Sequence, residues 1–353
     1  MGAFMGFVIF FFCLFPNPPA YGQTTEAKLS WLESLPASER EARLIESARK
    51  EGEVIAYANL NVAAASVLTD GFMKKYPFIK ARIVRLSGTA IINRVEAEAR
   101  AGKVSSDVIM SGQLGILAFE EKKVFARYLS PLRVLYPQGF KDKEGYWTVF
   151  FTNLMVSSYN TRRVKEEEAP RRLEDLLRPR WKGKMAMDTE SYVWFGAVLQ
   201  YLGEEAGLRF MRKLNEQDLS HVRGRRHMNQ LVAAGEHDLA VETNLNSVLS
   251  LTKEGAPLWF APIQPLFLAP SMLFLNQNAP HSHAGALLID YLLSEEGQRM
   301  IASTDRTPAH RKARSAESRF LEGLEIRMPE VVDIGKRYNA IAKQYREIFP
   351  GAS

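Results

Sequence analysis

Strand-like and helix-like segments alternate between residues 53 and 123, and this alternation constrains the fold more than any other feature of the sequence. Apolar runs at 53–59 and 106–112 and a period-two pattern at 79–88 predict three strands. The segment that follows each strand carries apolar residues at helical spacing. This order is typical of a parallel sheet with right-handed crossovers, so we expect an α/β fold.

A second set of α/β segments lies further along the chain. Residues 183–188 and 238–242 predict strands, and a helical pattern follows each of them. Two long apolar segments, 145–161 and 257–277, connect this set to the rest of the chain. Two such crossings predict two lobes, the second inserted into the first. We expect a signal peptide at 1–22, lobe 1 at 23–150 and 263–308, lobe 2 at 151–262, and C-terminal helices at 309–353 that pack on lobe 2.

Small polar residues follow each predicted strand of the first set. Asn59 and Asn61 follow the first strand, Ser87 and Thr89 the second, and Ser111 the third. In open α/β sheets the carboxyl ends of the strands and the amino ends of the next helices form the ligand crevice. Each of these residues is also a common helix cap, which is the alternative for any single one. The three exits together favour a crevice.

The strands of the second set end in the same way. Asp188 and Tyr192 flank the exit of the first strand, and Asn244 and Asn246 follow the second. A solute can shift an open-closed equilibrium only when it contacts both lobes in the closed state. We therefore expect the solute to touch polar groups of both lobes.

Residues 3–15 are continuously apolar, and a Pro-rich segment with small residues follows them. This pattern is typical of a secretory signal peptide, and the run is shorter than the roughly 20 residues that a spanning helix needs. We therefore expect a periplasmic or extracytoplasmic protein. No Lys or Arg precedes the apolar run, so an uncleaved membrane anchor is the alternative.

The cysteine count and the charge balance exclude several classes of function. Cys13, the only cysteine, lies in the predicted signal peptide, so the mature chain lacks a thiol for a disulfide, a zinc site or a nucleophile. Lys and Arg (46) exceed Asp and Glu (40), but basic clusters such as 223–226 are short and charges of both signs alternate. We interpret these clusters as solvated surface and expect no nucleic-acid partner.

Five segments of the sequence resemble those of a known family. They are "EGEVIAYANLN", "SSDVIMSG", "RRLEDLLRPRWKGKMAMD", "AAGEHDLAV" and "YLLSEEGQRMIA". In this order and spacing they resemble the exported solute-binding proteins of ABC importers, in the branch that includes the ferric-ion binders. The resemblance implies a two-lobed periplasmic binding protein of type II, in which each lobe has a mixed, mainly parallel sheet flanked by helices. It also implies closure around one solute, delivery to a membrane permease, and a monomer.

The sequence departs from the ferric-ion binders at the residues that would hold iron. Those proteins typically place two adjacent tyrosines where this chain has Leu245 and Asn246, and an arginine where it has Asn153. Fe(III) prefers anionic oxygen donors, whereas a neutral amide suits hydroxyl, carbonyl or carboxylate groups. We therefore expect a polar organic solute or an oxyanion. An oxygen-rich set is the alternative metal site: Asp188, Glu190 and Tyr192.

Sequence motifs for catalysis are absent. The chain contains no G-x-S-x-G elbow, H-E-x-x-H pair, P-loop or G-x-G-x-x-G fingerprint. We therefore expect a binding protein with no cofactor and no resident metal. Because a fold does not determine a function, two alternatives stay open: an enzyme on the same two-lobed architecture, and a periplasmic sensor that reports ligand state to a membrane receptor.

Overall fold

The computed structural model of the protein describes residues 23–112, 114–119, 123–310 and 321–352. The predicted signal peptide, residues 1–22, lies outside the described residues. Within them, the α-helices are α1 (Thr25–Leu29), α2 (Ala37–Glu51), α3 (Val62–Lys75), α4 (Gly88–Ala101), α5 (Tyr192–Leu202), α6 (Glu204–Asn215), α7 (Arg225–Ala234), α8 (Leu245–Lys253), α9 (Ser282–Leu293), α10 (Glu295–Ala302), α11 (Val331–Lys336) and α12 (Tyr338–Ile348).

The strands of the described residues form one mixed sheet. They are β1 (Glu53–Ala58), β2 (Lys80–Arg85), β3 (Val108–Ser111), β4 (Phe125–Ala126), β5 (Thr148–Asn160), β6 (Met185–Asp188), β7 (Ser220–Val222), β8 (Leu239–Asn244), β9 (Leu258–Ala261), β10 (Leu266–Asn276), β11 (Thr307–Pro308) and β12 (Ile326–Arg327). The main path runs β2-β1-β3-β10-β5-β8-β6-β7.

The sheet has two parallel halves joined by two antiparallel strands. β1 pairs in parallel with β2 and β3, and β6 pairs in parallel with β7 and β8. Between them, β5 and β10 pair with each other in antiparallel orientation. We call the half around β1–β3 lobe 1 and the half around β6–β8 lobe 2. Since each parallel half needs crossover helices, the alternating pattern predicted from the sequence accounts for this arrangement.

The two long apolar segments are the strands that connect the lobes. β5 pairs with β10 from Thr148 to Met155, and Met155 also lies opposite Asn244 of β8. On the other side of the connection, Met272 of β10 lies opposite Ser111 of β3. The second apolar segment is divided into β9 and β10, and Pro262 lies in this division. A proline has no N–H to donate to a ladder, which favours an interruption at this point.

One predicted helix differs in type. The segment after β3 forms a 3-10 helix at Leu114–Phe119 rather than an α-helix. Gly115 lies within it, against the ring of Tyr338 on α12, and a Cβ at this glycine would be 2.7 Å from that ring. The close approach of α12 therefore requires a glycine here, and tertiary packing rather than helix propensity determines the local conformation.

The C-terminal helices contact both lobes. Tyr345 of α12 packs edge-on against the rings of Tyr192 and Phe195 on α5, at centroid distances of 5.1 and 5.7 Å. Its hydroxyl donates a 2.6 Å hydrogen bond to the carbonyl of Asp188. On the lobe 1 side, α11 packs against the 3-10 helix Leu114–Phe119. None of the described helices is both long and apolar enough to cross a bilayer.

Candidate functional site

The strand exits of the two lobes face each other. The hydroxyl of Thr89, in the first turn of α4, donates to the carboxylate of Glu190, which precedes α5, at 3.2 Å from each carboxylate oxygen. The two residues are 101 positions apart and belong to different lobes. The carboxyl ends of the parallel strands in both lobes therefore border one common cleft.

Two of the predicted residues in lobe 1 cap the helices that follow them. The side chain of Asn61 accepts from the backbone N–H of Ala64 at 2.8 Å, and that of Ser87 accepts from the backbone N–H of Ala90 at 3.2 Å. Both side chains are exposed. Their contacts are those of the capping alternative, and their exposure leaves them accessible at the edge of the cleft.

The other residues of lobe 1 differ in exposure. Asn59 is exposed, and its backbone N–H donates to the carbonyl of Met110 on the neighbouring strand at 3.3 Å. Thr89 is half-buried and reaches lobe 2. Ser111, the last residue of β3, is fully buried. The cleft side of lobe 1 is therefore formed by exposed or half-buried polar groups, with Ser111 beneath them.

Asp188 holds two of the loops that follow the parallel strands of lobe 2. It is buried, and its two carboxylate oxygens accept from the backbone N–H groups of Glu190 at 2.8 Å and Gly224 at 2.9 Å. These residues precede α5 and α7, respectively. Asp188 thus holds the starts of two helices in place, and its oxygens are already engaged with the backbone.

The three helices of lobe 2 that follow the parallel strands β6, β7 and β8 begin without a side-chain cap. Their cap residues are Ser191 for α5, Gly224 for α7 and Asn244 for α8, and none of the three makes a capping hydrogen bond. The first N–H groups of a helix lack partners within the helix and carry partial positive charge. Because β6, β7 and β8 are parallel, these three helix starts lie along one edge of the sheet. These helix starts therefore place partial positive charge along this edge, which we call the positive edge of lobe 2.

A buried ion pair supports this edge. Glu242 on β8 is fully buried, and it accepts from Arg225 at Nε (3.2 Å) and Nη2 (2.9 Å). The hydroxyl of Ser191 donates to the same carboxylate at 2.6 Å. Burial opposes the charge of Arg225, but the carboxylates of Glu242 and Asp188 outweigh it and raise the pKa of the guanidinium. Arg225 is therefore a cation that is held in a fixed orientation.

One guanidinium nitrogen of Arg225 lies outside the pair with Glu242. Nη1 makes no hydrogen bond to any described residue, and about a quarter of the side chain is exposed (25%). Residues 223–226 were expected to form solvated basic surface, so Arg225 was not among the predicted site residues. A signal was present in the sequence, because an arginine at the first position of a helix that follows a short strand lies where anions bind.

Two amides near the connection between the lobes have unused acceptors. Asn153 lies on β5, between Thr152, which pairs with β11, and Met155, which pairs with β8. The Oδ1 atoms of Asn153 and Asn246 are buried and lack a hydrogen-bond partner among the described residues. β8 continues without a loop into α8 at Asn244, so Asn244 and Asn246 belong to a direct strand-to-helix transition.

The residue at one of the iron-binding tyrosine positions, and two tyrosines near the strand exits, make contacts within the protein. Leu245 is fully buried in the core of lobe 2. The hydroxyl of Tyr192 accepts from Arg346 at 3.2 Å, and that of Tyr57 donates to Glu98 at 2.6 Å. Burial raises the pKa of Tyr57, and the hydrogen bond to Glu98 raises it further. Within the part of the chain that the structure describes, no cluster of three or more His, Cys, Asp or Glu residues is suited to a metal ion.

Comparison with known sequences identifies a family. A family model described as "Bacterial extracellular solute-binding protein" matches residues 105–331. A protein of Salmonella typhimurium named "Putative 2-aminoethylphosphonate-binding periplasmic protein" is 22% identical over 291 residues, which cover 76% of this chain and 83% of the relative. Its counterpart from Salmonella paratyphi A gives the same values.

Solved structures share the fold. The periplasmic binding protein AfuA from Actinobacillus pleuropneumoniae, with exogenous fructose-6-phosphate bound, has a TM-score of 0.74 at 20% identity and covers 84% of this chain and 99% of that one. Iron-bound HitA from Pseudomonas aeruginosa has a TM-score of 0.73 at 18% identity, with the same coverage. These are two-lobed type II periplasmic binding proteins, so the fold class predicted from the sequence is confirmed.

Proposed function

This chain belongs to the bacterial extracellular solute-binding proteins, and we propose that it captures a small organic phosphonate or phosphate ester between its lobes for import by an ABC permease. The resemblance to solute-binding proteins that the sequence segments carry is thereby confirmed at the level of the family. The nature of the solute is the part that we propose.

The observation that carries the proposal is the positive edge of lobe 2. Three helices start there without side-chain caps, and Arg225 lies among them with a free Nη1. A phosphonate offers three oxygens, and it matches both backbone N–H groups and the planar guanidinium. The names of the Salmonella relative and of the ligand of AfuA both include a phosphorus oxyanion. The positive edge of lobe 2 suits the same chemistry.

The binding mechanism follows from the position of the cleft. The solute's anionic group binds the helix starts and Arg225 of lobe 2, and its remaining groups contact Asn59, Asn61, Ser87 and Thr89 of lobe 1. Since only the closed arrangement allows both sets of contacts, the solute favours closure. Asn153, Asn244 and Asn246 lie at the connection between the lobes and supply amide hydrogen bonds. Ser111, Asp188 and Tyr192 support the cleft from beneath it.

Several further properties belong to the same proposal. The relatives are named as periplasmic binding proteins, and we place this protein outside the cytoplasm after export, acting as a monomer. It functions without a catalytic step, a cofactor or a resident metal. Iron is the less favoured solute, because the positions of the two iron-binding tyrosines hold Leu245, which is buried in the core, and Asn246, whose neutral amide is a poor ligand for Fe(III).

Thermal stability of the purified protein tests the proposal. Titrations with 2-aminoethylphosphonate, fructose-6-phosphate and ferric citrate are compared by the melting temperature and by calorimetry. A ligand present at 100 times its Kd stabilises the native state by about 2.7 kcal/mol. We expect stabilisation by a phosphonate or phosphate ester, and none by ferric citrate.

Variants at two neighbouring arginines locate the binding site. Arg225→Lys keeps a cation beside Glu242 but loses the guanidinium fork, so we expect the phosphonate affinity to fall by at least about tenfold. Arg226 forms an exposed pair with Glu254, and Arg226→Lys should leave the affinity unchanged. Stabilisation by ferric citrate alone, equal in the wild type and in Arg225→Lys, would contradict the proposal.

A further inference from the structure

Glu190 is a carboxylate in the cleft without a cationic partner. It is half-buried and lies in the short loop between β6 and α5. Its backbone N–H donates to Asp188, which fixes the loop, and among the described residues its carboxylate accepts only the hydroxyl of Thr89. No Lys, Arg or His among the described residues forms an ion pair with it. Two carboxylate oxygens accept about four hydrogen bonds, so most of this capacity is unused.

The arginines around Glu190 are committed to other groups. Arg346 donates to the hydroxyl of Tyr192, two positions after Glu190, and Arg225 pairs with Glu242. Thr89 is the one described residue that donates to the Glu190 carboxylate, and it is neutral. An anion that loses part of its hydration in a cleft is costly unless a cation or several donors compensate it. The described residues therefore supply no cation that compensates the carboxylate of Glu190.

Glu190 and the positive edge of lobe 2 lie near the same point. Asp188 connects them, because one of its carboxylate oxygens accepts from the backbone N–H of Glu190 at 2.8 Å and the other accepts from that of Gly224, the residue before Arg225, at 2.9 Å. A negative group and a positive group thus flank one stretch of the cleft. This pattern of charge is complementary to a small molecule with an anion at one end and a cation at the other.

We propose that Glu190 binds an ammonium group of the solute, so that the protein selects zwitterionic aminophosphonates over phosphonates without an amine. The inference rests on the proposed function, which places the phosphonate at Arg225. An ammonium has three donors, so it can bind Glu190 and also the oxygen of Thr89. Because Thr89 belongs to lobe 1 and Glu190 to lobe 2, the ammonium would join the two lobes at the mouth of the cleft.

Calorimetry with two probes that differ only in the amine tests this inference. The probes are 2-aminoethylphosphonate and ethylphosphonate, and the quantity compared is the ratio of their Kd values at pH 7. We expect the wild type to bind the amino compound at least about tenfold more tightly, the size of one charge-assisted hydrogen bond. In Glu190→Gln this ratio should fall to about one, while the Kd for ethylphosphonate stays the same or decreases.

Two further variants make the test specific. Glu190→Asp keeps the carboxylate and should retain part of the preference. Glu167→Gln removes a charge from an exposed turn of lobe 2 and should retain all of it. A wild type that binds both probes equally, or a Glu190→Gln variant that weakens both equally, overturns the inference alone. A wild type that binds neither probe overturns this inference, and it overturns the proposed function as well when fructose-6-phosphate also fails to bind.

Discussion

Glu242 connects three elements of lobe 2 through a single carboxylate. From β8 it accepts hydrogen bonds from Arg225 at the start of α7 and from Ser191 at the start of α5. Its side chain is fully buried. A buried carboxylate is tolerated only when its lone pairs are satisfied and its charge is compensated, and both conditions hold here. The geometry of the positive edge therefore depends on this residue, which does not itself reach the cleft.

Replacing Glu242 by glutamine should destabilise the protein. The substitution preserves shape but removes the hydrogen-bonded carboxylate that compensates most directly the charge of the mostly buried Arg225 guanidinium. We expect a loss of about 3 kcal/mol in the free energy of unfolding, measured by urea denaturation. Glu254→Gln is the matched control, because Glu254 pairs with Arg226 on an exposed surface, and it should leave the urea midpoint unchanged. Equal effects of the two substitutions would contradict the role assigned to Glu242.

At the scale of elements, close helix contacts depend on small residues. α5 and α6 are adjacent helices in lobe 2, and Gly207 on α6 lies against Leu199 on α5. A Cβ at Gly207 would be 2.9 Å from the Cα of Leu199 and 2.6 Å from its Cδ2. The backbones therefore approach each other more closely than any other residue allows.

The substitution Gly207→Ala tests this packing. Helix propensity favours alanine by about 1 kcal/mol, but the clash with backbone requires the helices to move apart. We expect the clash to dominate and the free energy of unfolding to fall by about 1 to 2 kcal/mol. Gly139 has open space where its Cβ would be, so Gly139→Ala should show no loss. A Gly207→Ala variant as stable as the wild type would show that α6 adjusts freely.

The C-terminal segment packs against β7 at His221. A Cβ at Gly351 would lie 2.7 Å from Cδ2 of His221, and the rings of Phe349 and His221 are 5.9 Å apart between centroids. The Nδ1 atom of His221 is buried without a hydrogen-bond partner among the described residues. Burial lowers the pKa of His221 below its ordinary value. The folded state therefore prefers the neutral ring.

The stability of the protein should fall in mildly acidic solution because of this histidine. Below about pH 6.5 the unfolded chain binds a proton at His221 while the folded protein does not, so stability is complete above that pH and is lost as the pH falls through the folded pKa. We expect His221→Gln to reduce the slope of unfolding free energy against pH between 7 and 5. His227 is exposed on α7, and His227→Gln should leave the slope unchanged. An unaltered slope in His221→Gln would contradict this assignment.

At the scale of the whole molecule, movement of the lobes has to involve three connections. β5 and β10 cross between the lobes, and the C-terminal helices contact lobe 2 through α12 and lobe 1 through α11. The strands absorb rotation through their dihedral angles. In contrast, the packing of α11 against the 3-10 helix Leu114–Phe119 has to slide or separate.

Solute binding should make the molecule more compact. Saturating 2-aminoethylphosphonate provides contacts to both lobes, so it should shift the population toward closure and lower the radius of gyration measured by small-angle X-ray scattering. The variant Arg225→Ala lacks the main contact of lobe 2 and should show no change at the same ligand concentration. A radius of gyration that is constant in the wild type despite calorimetric binding would contradict closure by the solute.

Most of the elements could be predicted from the sequence because their signals are local. The apolar patterns predicted β1, β2 and β3 and the helices α3 and α4, with Gly102 ending α4 in the left-handed conformation. The polar strand exits were also visible, because they follow directly from where each strand pattern stops. The prediction failed at the 3-10 helix after β3, whose conformation depends on contact with α12, more than 200 positions away.

The sequence by itself determined the order of strands and helices, the exported class of protein that its segments resemble, and the cleft edge as the place to look for a site. Only the tertiary structure decided which polar residues cap their own helices, as Asn61 and Ser87 do, and which face the other lobe, as Thr89 and Glu190 do. The same is true of the pair between Arg225 and Glu242. Capping and periodicity involve neighbours along the chain, whereas charge compensation across a cleft depends on distances that only folding establishes.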